Sequence, residues 1–181
     1  MEQTPKEHSY LSLVGHRYSC RKFAGTQVDD EQLRIVLEAA RKSPSARNNQ
    51  PVRICVVQSD EGLAKIDECT QCRYGAPTVL VVAYDHEASS HPTPDHGSET
   101  CDFGDIDAAI AITNMENAAA SLGLGTCWVG AFEPEKVRER FNVPATYRLV
   151  ELLMLGHAEA APGPRHTERL AMDEIVVRET F

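Results

Sequence analysis

The run Thr78-Val-Leu-Val-Val-Ala-Tyr84 constrains this chain more than any other stretch. It is apolar almost throughout and shows no polar alternation, which fits a strand buried on both faces and not one with a wet side. Such a strand belongs in the middle of a sheet, with other structure packed above and below it. VRICVVQ (Val52–Gln58) reads as a second strand, TCWV (Thr126–Val129) as a short buried one, and YRLVELLML (Tyr147–Leu155) as the last.

Helices supply the covering layers. Asp29 can cap a helix whose third residue is Gln32, and Val28 can staple against Leu33. Leu33, Val36, Leu37 and Ala40 repeat at helical spacing before Pro44 stops the pattern. A weaker helix is expected around Ser9 to His16, and a long one from about Asp105 to Leu122. Gly123 is placed to end the long helix in the left-handed conformation. Pro134 opens another, to about Phe141. Helices come first and βαβ alternation is absent, so the expected class is α+β: a central mixed sheet flanked by long helices, in a single domain over residues 1–181.

With 42% hydrophobic and 25% charged residues, the chain can bury a core without metal or disulfide staples. The formal net charge of -9 argues against nucleic acid and anionic membranes as partners, because both require clustered cations. Any anionic ligand must be held by a local group of Arg or Lys working against the global field. No apolar leader or membrane span is visible, so a cytoplasmic location is expected. The six cysteines are then read as reduced thiols.

Three segments carry candidate chemistry. Arg17-Tyr18-Ser19-Cys20-Arg21 places two guanidiniums and a hydroxyl together, and the guanidinium fork fits a phosphate. Ser43-Pro44-Ser45-Ala46-Arg47-Asn48-Asn49-Gln50-Pro51 joins a helix to a strand with small and amide groups, which lets a planar ring approach the backbone. Gly123-Leu-Gly-Thr-Cys-Trp-Val-Gly-Ala-Phe132 brackets a short strand with glycines, and Gly130 and Ala131 leave room for a ligand against the main chain. Neither a GxGxxG after a strand nor a P-loop is present.

Taken in order and spacing, these segments resemble the nitroreductase family of flavoenzymes. RYSCR stands as its first motif, PSARNNQP as its second and GLGTCWVGAF as its third, while ERLAMDEIV (Glu168–Val176) resembles the closing segment. The resemblance implies a homodimer with FMN at the interface. It implies that Arg17, Ser19, Arg21 and Arg169 hold the FMN phosphate. Pro44, Ser45, Ala46 and Asn48 would approach the ring from the other subunit. Val129, Gly130 and Ala131 would offer backbone near the flavin N5. It further implies NADH or NADPH as donor, a small-molecule acceptor such as a nitroaromatic or quinone, and ping-pong turnover with no catalytic side chain or metal. Tyr18, Val52 and Thr167 depart from the pattern, which more often has a basic, an aromatic and a basic residue there.

Other readings keep the fold and change the reaction, to reductive dehalogenation or flavin breakdown. A non-enzymatic reading is a metal-binding or thiol-switch protein, resting on the Cys69-Thr-Gln-Cys72 pair and on His86, His91, His96 and Cys101, which recur every five residues in an irregular loop.

Overall fold

In the computed structural model, which describes residues 10–93 and 102–181, the apolar run forms β2 (Thr78–Asp85), buried from Thr78 to Tyr84. On one side it pairs with β1 (Val52–Val57) and on the other with β4 (Tyr147–Gly156); β3 (Gly125–Val129) pairs with the far side of β4. The order is β1-β2-β4-β3. β2 is central because both its faces are apolar: Val79 and Val81 point into one core, Leu80 and Val82 into the other.

The class is α+β, as the sequence predicts. The sheet itself is less mixed than expected, since all pairings among these four strands are antiparallel. Its parallel component is the isolated pairing of Ser19 with Thr126, on the outer edge of β3. Between Val82 and Ala83 the β2–β4 register slips by one residue, leaving Val150 between the partners Leu149 and Glu151.

Two helical layers close the sheet. α3 (Asp60–Cys69) and α5 (Pro134–Phe141) bury Ile66 and Val137 against Val79, Val81, Leu152 and Met154. α2 (Asp30–Arg41) and α4 (Phe103–Ser121) bury Val36, Ile112 and Met115 against Leu80, Val82, Leu153 and Leu155. Each such side chain contributes about 1.5–3 kcal/mol on burial. α1 (Tyr10–His16) lies outside both cores and buries none of its residues.

The caps explain where the helices begin. Asp29 accepts from Gln32 N at 2.7 Å, and the Gln32 side chain accepts from Asp29 N, a complete capping box. Gly123 ends α4 with φ +73°, and Leu124 N donates back to Ala119 O at 2.9 Å. α3 is the element that periodicity does not announce. It is short, with Ser59 accepting from Gly62 N at 3.1 Å and only Ile66 and Cys69 buried, too few apolar positions to stand out. No helix among the described residues is long and apolar enough to cross a membrane.

Alanines recur along α4 from Ala108 to Ala120, where small side chains suit close packing, inside the chain or against a second copy. The packing of α4 divides that stretch: Ala108, Ala111 and Ala119 are buried in the chain's own core with Ile112 and Met115. Small side chains serve there to let α4 approach the sheet and α2 closely. On its other side the helix exposes Ile106, at 37%.

Candidate functional site

The first motif is held to the third by backbone. Ser19 pairs with Thr126 in an isolated parallel bridge, and Cys20 N donates to Thr126 O at 2.7 Å, so the segment around Ser19 lies along the edge of β3. Alternation along that extended segment buries Cys20 and leaves Ser19 and Arg21 exposed. Arg17, Tyr18, Ser19 and Arg21 line a cleft whose opposite wall is the tail, with Gly163, Pro164, Arg165, His166 and Arg169. All four residues expected at a phosphate therefore meet in one place.

Arg165 and His166 join them without having been singled out in the sequence. The available signal was the basic pair four residues before Arg169. Arg165 also places a cation near the point where Thr167 departs from the family pattern. The tail is tied to the motif through Tyr18. Its hydroxyl donates to Ala160 O at 2.5 Å, and its ring meets His166 edge-on with centroids 5.9 Å apart. Arg169 donates to the carbonyls of His166 and Glu168 at 2.7 and 2.6 Å, which shapes the turn.

Arg17 and Ser19 also line a second hollow, completed by Tyr10, Val14, Thr113, Glu116, Asn117 and Trp128. The two hollows thus share a wall, one end cationic and the other mixed. Glu116 is buried in α4. Its carboxyl lies 3.7 Å from the Arg17 guanidinium and accepts from Thr126 Oγ1 at 3.1 Å. Burial pushes this carboxyl up from its ordinary range, against the pull of Arg17 and Thr126. Burial likewise raises the Cys127 thiol, and the charge on Arg21 opposes it.

At the end of β3, Val129 is buried while Gly130 and Ala131 are exposed. A Cβ at Gly130 would lie 2.9 and 3.0 Å from the two carboxylate oxygens of Glu151. A side chain added there must displace the end of the flexible Glu151 side chain, and no turn is involved. Glu151 Oε2 is buried without a hydrogen-bond partner, and burial raises this carboxyl too, opposed by a hydrogen bond with Trp128.

The second motif lies elsewhere. Pro44 and Ser45 line a different hollow, with Leu37, Arg41, Val52, Ile54 and Asp107. Ala46 N donates to Asp107 Oδ1 at 2.9 Å, and Asn48 N to Ser45 O at 2.9 Å. Within one chain this loop does not border the arginine cleft. Its backbone is strained and tightly held: Arg47, Asn48 and Gln50 have φ of 54°, 58° and 52°. Ser45 Oγ accepts from Gln50 N at 2.9 Å, and Asn49 Nδ2 donates to Ser90 Oγ at 3.1 Å. Strain held in place by hydrogen bonds is a mark of a preorganised binding loop.

The thiol reading gains nothing from this arrangement. Cys20, Cys55, Cys69, Cys72 and Cys127 are free among the described residues, and Cys69 is buried with its thiol raised by burial. His96 and Cys101 lie outside the described residues.

The chain is thus an α+β protein whose arginines face one cleft beside the edge strand β3, a lining suited to an anionic group. Comparison with known proteins makes the class specific. The model of the nitroreductase family matches residues 14–73 and 69–157. A nitroreductase family protein from Clostridium difficile 630 superposes with a TM-score of 0.87 at 32% identity, covering 96% of this chain and 99% of that one. The FMN reductase [NAD(P)H] of Bacillus subtilis is 31% identical over 94% of this chain and 73% of its own length. A provisionally assigned nitroreductase in complex with FMN, from Desulfovibrio desulfuricans, superposes with a TM-score of 0.81 at 26% identity, covering 97% and 99%. The chain belongs to the nitroreductase family.

Proposed function

We propose that this protein is an FMN-dependent NAD(P)H oxidoreductase that works as a homodimer and passes electrons to an electron-poor small molecule such as a nitroaromatic or quinone. The observation that carries the reading is the cleft lined by Arg17, Arg21, Arg165 and Arg169 in a chain of net charge -9. Such a local reversal of charge suits a phosphate. The relatives described as an FMN reductase and as an FMN complex favour FMN as the group that carries it.

In this reading Arg17, Ser19, Arg21 and Arg169 hold the phosphate, with Arg165 added to them. Charge-assisted hydrogen bonds from guanidinium forks give the grip both strength and direction. The hollow between α4 and Trp128 takes the body of the cofactor. Trp128 lines that hollow and leads directly into Val129, Gly130 and Ala131, whose backbone N–H groups orient the ring in this reading; Ala131 itself borders a separate hollow with Thr70 and Cys72, its carbonyl accepting from Thr70 Oγ1 at 2.6 Å. Bound in this way, FMN would supply the two-electron redox chemistry between NADH or NADPH and the acceptor. Donor and acceptor then use one slot in turn, a ping-pong scheme in which no side chain forms a covalent bond.

The loop of Pro44, Ser45, Ala46 and Asn48 completes the slot from a second copy. Support comes from its distance from the chain's own cleft and from apolar side chains left exposed on α4 and the tail: Ile106, Leu170, Met172, Ile175, Val176 and Val177. Apolar exposure on this scale favours an interface. Five free thiols among the described residues suit a reducing cytoplasm.

The test is direct. Purified protein mixed with FMN and passed over a desalting column should keep a flavin spectrum and oxidise NADH or NADPH when a quinone is present. Double-reciprocal plots at several quinone concentrations should be parallel. Loss of all flavin on the column, or intersecting plots with a demonstrable ternary complex, would count against the reading.

A further inference from the structure

We propose that His86, His91 and Asp102 form a binding site for a borderline divalent metal ion of the zinc class, at the N-terminus of α4 and independent of the flavin reading. The two histidines come from the turn after β2 and the carboxylate from the residue that caps α4. Their nearest ligating atoms all lie within 4.8 Å of one another. Asp102 Oδ2 is 2.9 Å from His91 Nδ1 and 3.3 Å from His86 Nδ1. Donors about 2.0–2.2 Å from a tetrahedral zinc stand roughly 3.3–3.5 Å from each other, so small side-chain rotations admit an ion.

The two carboxylate oxygens are divided in their work. Oδ1 accepts from Gly104 N and Ser89 Oγ, both at 3.2 Å, which fixes the carboxylate as the helix cap. Oδ2 faces the histidines. An ordinary His–Asp pair would leave both imidazoles hydrogen-bonded. Here His91 Nδ1 has the bond, whereas His86 Nδ1 is buried and has no hydrogen-bond partner. The two rings lie with centroids 4.4 Å apart. A buried imidazole nitrogen that lies beside a carboxylate and a second imidazole without a hydrogen-bond partner has a lone pair that a metal ion can accept. Two imidazoles and one carboxylate select zinc-class ions over magnesium or calcium, which prefer oxygen shells.

The site has structural leverage. It joins the turn after β2 to the start of α4, and Ser90 in that turn accepts from Asn49 in the strained loop. An ion bound there clamps the support under the second motif.

Titration calorimetry of the untagged, metal-stripped full chain with Zn(II) tests this, with Mg(II) as the hard-ion control. One equivalent of zinc should bind and magnesium should not. The double variant His86→Ala/His91→Ala should weaken zinc binding at least a hundredfold. Asp102→Asn should weaken it about tenfold while keeping the cap acceptor, so its melting temperature without metal stays near that of the parent. Co(II) loading should give d–d bands without a thiolate charge-transfer band. Three outcomes would overturn the proposal: no zinc bound, unchanged affinity in both variants, or a thiolate band that puts the ion on cysteine.

Discussion

The guanidinium of Arg17 sits 3.7 Å from the buried carboxyl of Glu116, and so the first motif is anchored to the middle of the long helix. The pair sets a competition. Arg17 faces both the cationic cleft and the carboxyl behind it. Because burial raises the Glu116 carboxyl above its ordinary 4.5, the folded chain holds that proton at pH values where the unfolded chain has released it. Stability then falls as pH rises through the window above about 4.5, since the native state binds more protons there. Asp107 and Glu151, also raised by burial, act in the same direction. Glu116→Gln should flatten the decline in unfolding free energy as pH rises above about 4.5, measured by urea denaturation. A slope identical to that of the parent would show that Glu116 titrates normally.

Arg21 is exposed in the cleft and lies outside both cores, so its loss should leave the fold intact. Arg21→Ala should weaken FMN binding about ten- to a hundredfold, the value of one charge-assisted contact of roughly 1.5–3 kcal/mol. Arg165→Ala should act in the same direction. Fluorescence titration of FMN measures both. Parent affinity in Arg165→Ala would return that residue to the solvent-exposed surface and leave the grip to the other three arginines.

Much of this arrangement is legible in the sequence, and the reasons differ by element. β2 announces itself because both faces are buried, which removes polar residues from the run. α2 does so through its capping box and the spacing of Leu33, Val36 and Leu37. The four phosphate candidates can be read through the family resemblance, which points to Arg17, Ser19 and Arg21 in the first motif and to Arg169 in the closing segment. Partnerships made across long separations are not legible. Glu116 looks like a surface position of an alanine-rich helix until Thr126 and Arg17 close over it. The close approach of Gly130 to Glu151 is made across the β3–β4 pairing, which no local pattern encodes. The internal use of Ala108, Ala111 and Ala119 is invisible for a related reason: composition shows that the helix packs closely, but not against what.

The contact between Gly130 and Glu151 can be measured. Gly130→Ala should destabilise the protein by no more than about 1 kcal/mol, since the new methyl meets the end of a flexible side chain that can move aside. Glu151→Ala removes the obstacle. In a double-mutant cycle the pair should cost less than the sum of the single changes by at least about 0.5 kcal/mol. Strict additivity in urea denaturation would mean that the backbone, and not Glu151, sets the cost of the methyl.

The last prediction concerns assembly. A charge at Ala119 cannot report on a dimer, because that residue is fully buried in the chain's own core and its loss would unfold the protein. Ile106, on the same helix, is 37% exposed and is the better probe. In the proposed dimer it lies in an apolar interface together with tail residues such as Leu170 and Met172, which are 65% and 74% exposed in the single chain. Ile106→Glu would place an unpaired charge in that interface, at a cost of several kcal/mol if it is desolvated. The variant should stay folded, shift to monomer in sedimentation velocity, and lose FMN at the same protein concentration, because the cofactor slot needs the second copy's Pro44–Asn48 loop. FMN should oppose the shift in the parent by mass action, raising its melting temperature and holding the dimer on dilution. A folded Ile106→Glu monomer that sediments with one equivalent of flavin would separate the cofactor site from the interface and break the proposed link between them.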